Sequence, residues 1–314
     1  MKILFMGTPD FATACLDALI DADMPVVAVV TQPDKKQGRG MKFAFSDVKK
    51  YALEKELPIH QPETLKDGAI LGLLEEIKPD VIAVVAYGKI LPEYVLNYPK
   101  YGCVNVHGSL LPKYRGAAPI QRAVLNGDKV TGVTTMLMDK GMDTGDMLYT
   151  EEFEITENMT TGEAFDALAE LGGKLLVKTL KDLEAGVVTP IKQDHEKATH
   201  AEKITNEECL VDFSLDASEV HNRIRGLSPF PGAFTYLDAK VVKLYNSKSG
   251  NLNAKGKPGE VINLSAKTGV EVACGSGSVI ITSFKPEGKG IMTAADMING
   301  RKISVGSVFG NKSI

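Results

Sequence analysis

The sequence predicts an α/β protein in which a mostly parallel sheet is followed by a smaller all-β domain. Three observations indicate this. About the first 190 residues alternate short apolar runs with amphipathic segments, as parallel α/β domains do. The chain then becomes polar and weakly patterned after Gly186. About 100 residues at the end alternate strand-like runs with turn residues, which is typical of a small closed barrel or sandwich.

The elements of the first domain follow from hydrophobic periodicity. A strand over 2–6 precedes Thr8, which we expect to cap a helix whose first residue is Pro9. Apolar runs and helical spacing predict the rest. Strands are predicted at 26–32, 80–88, 103–109, 130–139 and 146–155, and helices at 46–56, 65–78, 118–127 and 160–186.

The second domain is predicted to begin after a linker. The expected boundaries are 1–188 for the first domain, 189–205 for the linker and 206–314 for the second domain. Within the last of these, 218–227 reads as a short helix, whereas 232–248 and 259–284 are strand-like and rich in turn residues.

Composition restricts the class of protein. The chain has 314 residues, 44% hydrophobic and 24% charged, and no apolar run that approaches the roughly 20 residues of a membrane helix. The N-terminus lacks the pattern of a signal peptide, so we expect a cytoplasmic protein. The four cysteines are far apart without a CxxC motif, which indicates reduced thiols and no metal site. Nothing in the sequence requires more than a monomer.

Charge and glycine patterns bear on the ligand. Residues 206–314 carry 13 Lys and Arg against 10 Asp and Glu, whereas the remainder carries 23 against 30. This imbalance is a mild indication of a polyanionic partner, although ordinary surface scatter explains it equally well. The turn after the first strand, Gly7–Asp10, lacks the GxGxxG fingerprint, which argues against a dinucleotide.

Asn105 and His107 are the first candidates for chemistry. They lie two residues apart on a predicted strand, so both side chains face the same side. If that strand ends near Gly108, the pair opens at the carboxyl edge of the sheet, where such folds bind ligands. An amide and an imidazole can stabilise an oxyanion together. The same spacing is also common in purely structural pairs.

Asp143 is the third candidate. It lies in the segment 138–147, which is rich in Asp and Gly and follows a predicted strand end, as Tyr87 does. Its carboxylate would orient or charge His107 and relay a proton, but Asp and Gly are also ordinary turn residues.

Two loops are candidates for binding. The apolar loop Ser109–Pro112 could wall a flat ring or simply pack into the core. The basic segment 35–42 suits a phosphate backbone, although a solvated surface loop has the same composition.

Taken together, "NVHGSLLPKYRGAAPIQRAV" and the downstream "MDKGMDTGDM" resemble the formyltransferases that use 10-formyltetrahydrofolate. Within that superfamily the chain is similar to the methionyl-tRNA formyltransferase family, through "MKILFMGTPDFA", "VVTQPDKKQGRG", "VVAYGKILP" and "IRGLSPFPGAF". The similarity covers nearly the whole chain. It implies a Rossmann-like, mostly parallel formyltransferase fold with a C-terminal OB-like barrel that binds tRNA.

The resemblance also implies roles for individual residues. The formyl group of 10-formyltetrahydrofolate would pass, without a metal, to the α-amine of methionyl-initiator tRNA. Catalysis would fall to Asn105, His107 and Asp143. Folate binding would fall to Ser109, Leu110, Leu111, Pro112, Ala86, Tyr87, Gly88, Leu91 and Pro92, and tRNA binding to Lys35, Lys36, Arg39 and Lys42.

Two alternatives remain open at this point. The same catalytic domain could formylate glycinamide ribonucleotide or a nucleotide-linked amino sugar, or hydrolyse the formylfolate. The basic loop and the extra domain favour tRNA as the acceptor. A non-catalytic RNA-binding protein would use the barrel and the basic loop alone and would leave Asn105, His107 and Asp143 without a purpose.

Overall fold

A computed structural model describes residues 1–37 and 42–310, which divide into two units. Unit 1 comprises residues 1–116, 131–153 and 165–200; unit 2 comprises 117–130, 154–164 and 201–314. Two short segments of the N-terminal half therefore belong to unit 2, where backbone bonds hold them. Ile155 N donates to Lys129 O, and Gly162 N donates to Ser228 O.

The strands before residue 200 belong mainly to one sheet. Seven of them lie in the order β10–β9–β7–β6–β1–β2–β5, and β3 and β4 form a separate hairpin. Their bounds are β1 Ile3–Gly7, β2 Val26–Val30, β3 Lys35–Gln37, β4 Lys42–Ala44, β5 Ile59–His60, β6 Val81–Val85, β7 Cys103–His107, β8 Arg115–Gly116, β9 Val130–Leu137 and β10 Met147–Glu154. The segment 35–42, which the sequence predicts as a flexible loop, thus begins and ends in strands.

Five neighbouring strands of the sheet run parallel. β1 pairs with β2 and β6, β2 pairs with β5, and β6 pairs with β7, all in parallel register. β7 and β9 are antiparallel. The mostly parallel α/β sheet is therefore confirmed, with its direction reversed at β9.

Helices connect these strands near the predicted positions. They are α1 Asp10–Asp21, α2 Asp47–Glu54, α3 Leu71–Ile77, α4 Glu93–Leu96, α5 Pro119–Leu125 and α6 Thr161–Glu184. Two expectations were wrong. Thr8 does not cap α1, because its hydroxyl donates to Tyr87 O instead. The helix predicted from residue 65 begins only at Leu71, because Asp67 and Gly68 have left-handed φ angles of 55° and 75°.

Unit 2 contains an antiparallel sheet, as the sequence predicts. Its strands run in the order β12–β13–β16–β15–β14, and β17 pairs with β16. Tyr236 and Glu260 also form bridges to Gly310 and Val308. The bounds are β11 His200–Ala201, α7 Ala217–Gly226, β12 Ala233–Leu237, β13 Lys240–Ser249, β14 Val261–Ser265, β15 Gly269–Ala273, β16 Ser278–Pro286, β17 Met292–Thr293 and α8 Ala294–Asn299.

Three further features complete the fold. Helix α8 was missed from the sequence, although Thr293 and Asp296 form a capping box at its start. The four cysteines are buried and unpaired. No helix within residues 1–37 and 42–310 combines the length and apolar character that crossing a membrane requires.

Candidate active site in unit 1

Strand β7 presents two of the predicted catalytic residues at its carboxyl end. Asn105 is 9% exposed and His107 is 6% exposed. Because they alternate with Val106 along an extended strand, both side chains face the same side of the sheet. β7 lies between β6 and β9, with His107 opposite Thr134 of β9. The pair is therefore fixed by a central strand rather than by a loop.

A backbone carbonyl orients the imidazole of His107. Nε2 lies 2.9 Å from Tyr114 O. Since a carbonyl oxygen only accepts hydrogen bonds, Nε2 carries the hydrogen and donates it. Nδ1 is then the ring atom left for a reacting group, and it lies 3.7 Å from Asp143 Oδ2.

The carboxylate of Asp143 contacts both the ring and a backbone amide. Its Oδ2 accepts a hydrogen bond from Gly116 N at 2.8 Å. The distance of 3.7 Å to Nδ1 is too long for a hydrogen bond but close enough for an ion pair when Nδ1 carries a proton. A proton that arrives at Nδ1 therefore places its positive charge directly beside this carboxylate.

Asp143 reaches His107 by a route that the sequence did not predict. Asp139–Asp143 was expected to follow a strand end at the same edge as His107. The strand direction in that expectation was wrong, because β9 is antiparallel to β7 and its last residue, Leu137, lies opposite Val104, although Asp143 does approach His107 as expected. The loop between β9 and β10 must therefore turn back toward the carboxyl end of β7 to bring Asp143 to the imidazole.

The amide of Asn105 is available to a ligand. It makes no hydrogen bond to any other residue that the structure describes, and its atoms are not among the fully buried ones. A largely buried amide with a free N–H suits an oxygen atom that gains negative charge during a reaction.

The apolar loop after β7 is held by its own polar groups. The hydroxyl of Ser109 is fully buried and donates to Lys113 O at 2.6 Å. Leu111 N donates to Thr134 Oγ1, which in turn donates to Ser109 O. Leu111 is buried, whereas Leu110 and Pro112 are partly exposed. The apolar surface that this loop offers therefore comes mainly from Leu110 and Pro112.

The second predicted folate loop, residues 86–92, exposes fewer of the predicted side chains to a ligand than expected. Tyr87 is 2% exposed and packs with Leu91 in an apolar core. Ala86 and Gly88 are exposed with left-handed φ angles of 44° and 80°, and Pro92 is partly exposed. Ile90, which was not among the predicted folate-binding residues, is 83% exposed and is the large apolar side chain that this loop presents.

The predicted tRNA-binding residues are described only in part. Lys35 Nζ donates to Gln32 Oε1 at 2.9 Å, and Gln32 Nε2 donates to Tyr87 O at 2.8 Å. Lys36 lies in β3 and Lys42 in β4. Arg39 lies outside the described residues.

The main-chain groups that contribute to the site could not be predicted from the amino-acid sequence. Tyr114 O and Gly116 N contact His107 and Asp143 through the main chain, which carries no sequence signal. Gln193, whose side-chain amide donates to Asp143 O and Gly145 O, was also missed, because it lies in a polar segment predicted as a linker. In the described part of the chain, no three His, Cys, Asp or Glu side chains are grouped to hold a metal ion.

Family models now place the chain in a class. Residues 1–180 match the model described as formyl transferase, and residues 203–302 match the formyl transferase C-terminal domain. The protein is thus a formyltransferase.

Its relatives define the family more closely. Methionyl-tRNA formyltransferase of Clostridium novyi (strain NT) is 49% identical over 309 residues, 98% of this chain and 99% of the relative. The enzyme of that name from Acetivibrio thermocellus is 46% identical over 311 residues, 99% of this chain and 100% of the relative. The chain belongs to the methionyl-tRNA formyltransferase family.

Solved structures support the fold. HypX from Aquifex aeolicus in complex with tetrahydrofolic acid gives a TM-score of 0.65 at 19% identity, with 96% of this chain covered. The chain spans about half of HypX, 47% of its length. Methionyl-tRNA formyltransferase from Clostridium thermocellum gives a TM-score of 0.54 at 18% identity, covering 79% of this chain and 93% of that one.

We expect Tyr87→Phe to stabilise the protein. The Tyr87 hydroxyl is buried without a hydrogen-bond partner among the described residues, and burial raises the pKa of Tyr87 to about 12. Its removal should increase the free energy of unfolding by about 1 kcal/mol in denaturant titrations.

Tyr94→Phe is the matched control. Tyr94 packs against the same core, but its hydroxyl donates to Leu65 O and accepts from Ile70 N. This variant should lose stability. A loss of stability in Tyr87→Phe would show that its hydroxyl has a partner.

Proposed function

We propose that this protein transfers the formyl group of 10-formyltetrahydrofolate to the α-amino group of methionyl-initiator tRNA. The observation that carries the proposal is the approach of Asp143 to His107 Nδ1, beside a free Asn105 amide, in a chain of this family. Formyl transfer to an amine needs a donor for the oxyanion and a group that moves a proton, and these three side chains supply both.

The chemistry assigns one task to each residue. The α-amine attacks the formyl carbon and the carbonyl oxygen becomes an oxyanion. Asn105 donates to that oxygen from its amide, and His107 acts through Nδ1, since Nε2 is engaged with Tyr114 O. Asp143 stabilises positive charge on the imidazole and assists the transfer of the proton from the amine to N10 of the folate. Collapse of the intermediate then breaks the bond between the formyl carbon and N10, which releases tetrahydrofolate and leaves the formyl group on the amine.

In this proposal the folate lies against the loops that follow β6 and β7. Leu110 and Pro112 supply apolar surface on one side. The backbone at Ala86 and Gly88, together with the exposed Ile90, supplies it on the other. Ser109, Tyr87 and Leu91 contribute through the main chain or by supporting the loops, since their side chains are buried.

The tRNA is proposed to lie against the basic segment 35–42 and unit 2. Residues 206–314 carry 13 basic against 10 acidic residues, and phosphate contacts require such cations. We infer that the antiparallel sheet closes into an OB-like barrel. The bridges from Val308 to Glu260 and from Gly310 to Tyr236 support closure, because they join strand β12 to the residue before β14.

Three less specific proposals accompany this function. The catalytic domain ends near residue 188 and the RNA-binding domain begins near 206, in keeping with family matches to 1–180 and 203–302. The enzyme acts as a monomer, since one chain carries all three proposed catalytic residues. It works in the cytoplasm, where initiator tRNA is charged.

A direct assay tests the acceptor. The purified protein, incubated with 10-formyltetrahydrofolate and methionyl-initiator tRNA, should yield N-formylmethionine after deacylation of the tRNA. Glycinamide ribonucleotide, offered in parallel, should remain unmodified. Formylation of the ribonucleotide but not of the tRNA would overturn the proposed acceptor. Tight, salt-dependent tRNA binding without any transfer would favour an RNA-binding protein.

Asp143→Asn should lower kcat by about 10²- to 10⁴-fold at saturating substrates. The fold should persist, because Asn tolerates the left-handed φ of 55° at this position. The reason for the loss is that an amide cannot stabilise charge on His107.

Asp146→Asn is the control, since it makes the same change of charge in the same loop at a partly exposed residue. Equal turnover in the two variants would remove Asp143 from the mechanism.

A further inference from the structure

The segment 191–199 connects the two loops of the active site. At one end, Ile191 and Met147 exchange backbone hydrogen bonds of 2.8 Å beside the Asp143 loop. At the other end, Thr199 accepts from Arg115 N through its carbonyl and from Tyr114 N through its hydroxyl, both at 2.8 Å. Both ends of this part of the predicted linker are therefore bonded to the segments that carry Asp143 and Tyr114.

Gln193 is the buried polar residue of this segment. It is 5% exposed, although Lys192 and Asp194 beside it are exposed. Its Nε2 donates to Asp143 O at 2.9 Å and to Gly145 O at 2.7 Å. Both amide hydrogens are thus used to hold the backbone of the loop that carries Asp143.

Arg115 fixes the orientation of the Gln193 amide. Its Nε and Nη2 donate to Gln193 Oε1 at 3.0 and 2.6 Å, so the oxygen must face Arg115 and the nitrogen must face the loop. Nη2 also lies 3.1 Å from His195 Nδ1, to which it donates. Arg115 forms no ion pair with an Asp or Glu in the described ranges. The buried guanidinium of Arg115 therefore makes most of its hydrogen bonds to Gln193.

Asp143 needs such a support because of the sheet topology. Strand β9 ends opposite Val104, near the beginning of β7, whereas His107 lies at the other end of that strand. The loop must turn back along β7, and Asp143 has a left-handed φ of 55° within it. A small displacement of this loop would separate the carboxylate from Nδ1, which is already 3.7 Å away.

We propose that Gln193, oriented by Arg115, is a positioning residue that holds Asp143 beside His107 for formyl transfer. The inference rests on the proposed function for its kinetic test, but its geometric basis is independent of the acceptor. Gln193 touches no reacting atom in this account. It acts through the two carbonyl groups that it binds in the Asp143 loop.

The substitution Gln193→Glu tests whether Gln193 positions Asp143 through its hydrogen bonds or only fills space. The carboxylate keeps the size of glutamine and gains an ion pair with Arg115, but it places an oxygen against Asp143 O and Gly145 O. We expect kcat to fall at least about 10-fold, since small misplacements of catalytic groups have large kinetic effects. KM for the folate and the thermal midpoint should stay close to the wild-type values.

Three comparisons make the test specific. Thr189→Glu adds the same charge at an exposed position of the linker and should leave kcat unchanged. In an Asp143→Asn background, Gln193→Glu should cause no further loss beyond about 2-fold, because coupled residues are not additive. If the Gln193→Glu variant does not fold, Gln193→Ala replaces it. This substitution removes the hydrogen-bond donors without adding charge, and its kcat is measured in the wild-type and in the Asp143→Asn background.

The outcomes distinguish the two proposals. If the wild type does not formylate methionyl-tRNA, the proposed function fails, and the crystal structure of Gln193→Glu decides the positioning role. That structure should show Asp143 Oδ2 further from His107 Nδ1 than 3.7 Å. The inference would be overturned if Asp143 keeps its position in that structure or if Gln193→Glu leaves kcat unchanged. It would also be overturned if Gln193→Glu lowers kcat as much in the Asp143→Asn variant as in the wild type.

Discussion

The hydrogen bond from His107 to the carbonyl of Tyr114 is the constraint on which the site depends. It commits Nε2 as a donor at 2.9 Å and leaves Nδ1 as the atom that faces both Asp143 and the open side of the strand. If the His107 imidazole were flipped, the Asp143 carboxylate would face Nε2 instead of Nδ1. The conformation of the loop after β7 therefore determines which nitrogen of His107 is available for the proposed proton transfer.

The site combines a rigid and an adjustable part. Asn105 and His107 belong to a central strand, where pairing on both sides fixes the backbone. Asp143 belongs to a loop that turns back from the far end of β9, and it depends on Gly116 N and on Gln193 for its place. The position of Asp143 relative to His107 therefore depends on contacts from neighbouring segments, whereas that of Asn105 and His107 follows from the sheet.

Much of the fold was predictable, and the reasons are physical. Buried parallel strands read as apolar runs, so β1, β2, β6 and β7 were placed correctly, and the spacing of Asn105 and His107 put them on one side of a strand. The antiparallel direction of β9 was not predictable, because it depends on a tertiary pairing. The family resemblance implied a folate-binding role for Tyr87, but tertiary packing buries its ring in the core, which residue type alone does not reveal. Gln193 gave no signal, since its neighbours are polar and exposed.

The tautomer of the neutral His107 ring is the decisive measurement for the proposed roles of His107 and Asp143. Nitrogen-15 NMR of the histidine side chains, with His107 assigned by its absence from a His107→Asn variant, reports which nitrogen carries the hydrogen in the neutral ring. The five histidines of the chain keep this assignment simple. We expect the neutral ring to carry its hydrogen on Nε2 and none on Nδ1. A neutral ring with its hydrogen on Nδ1 would contradict the hydrogen bond to Tyr114 O and the role given to Asp143.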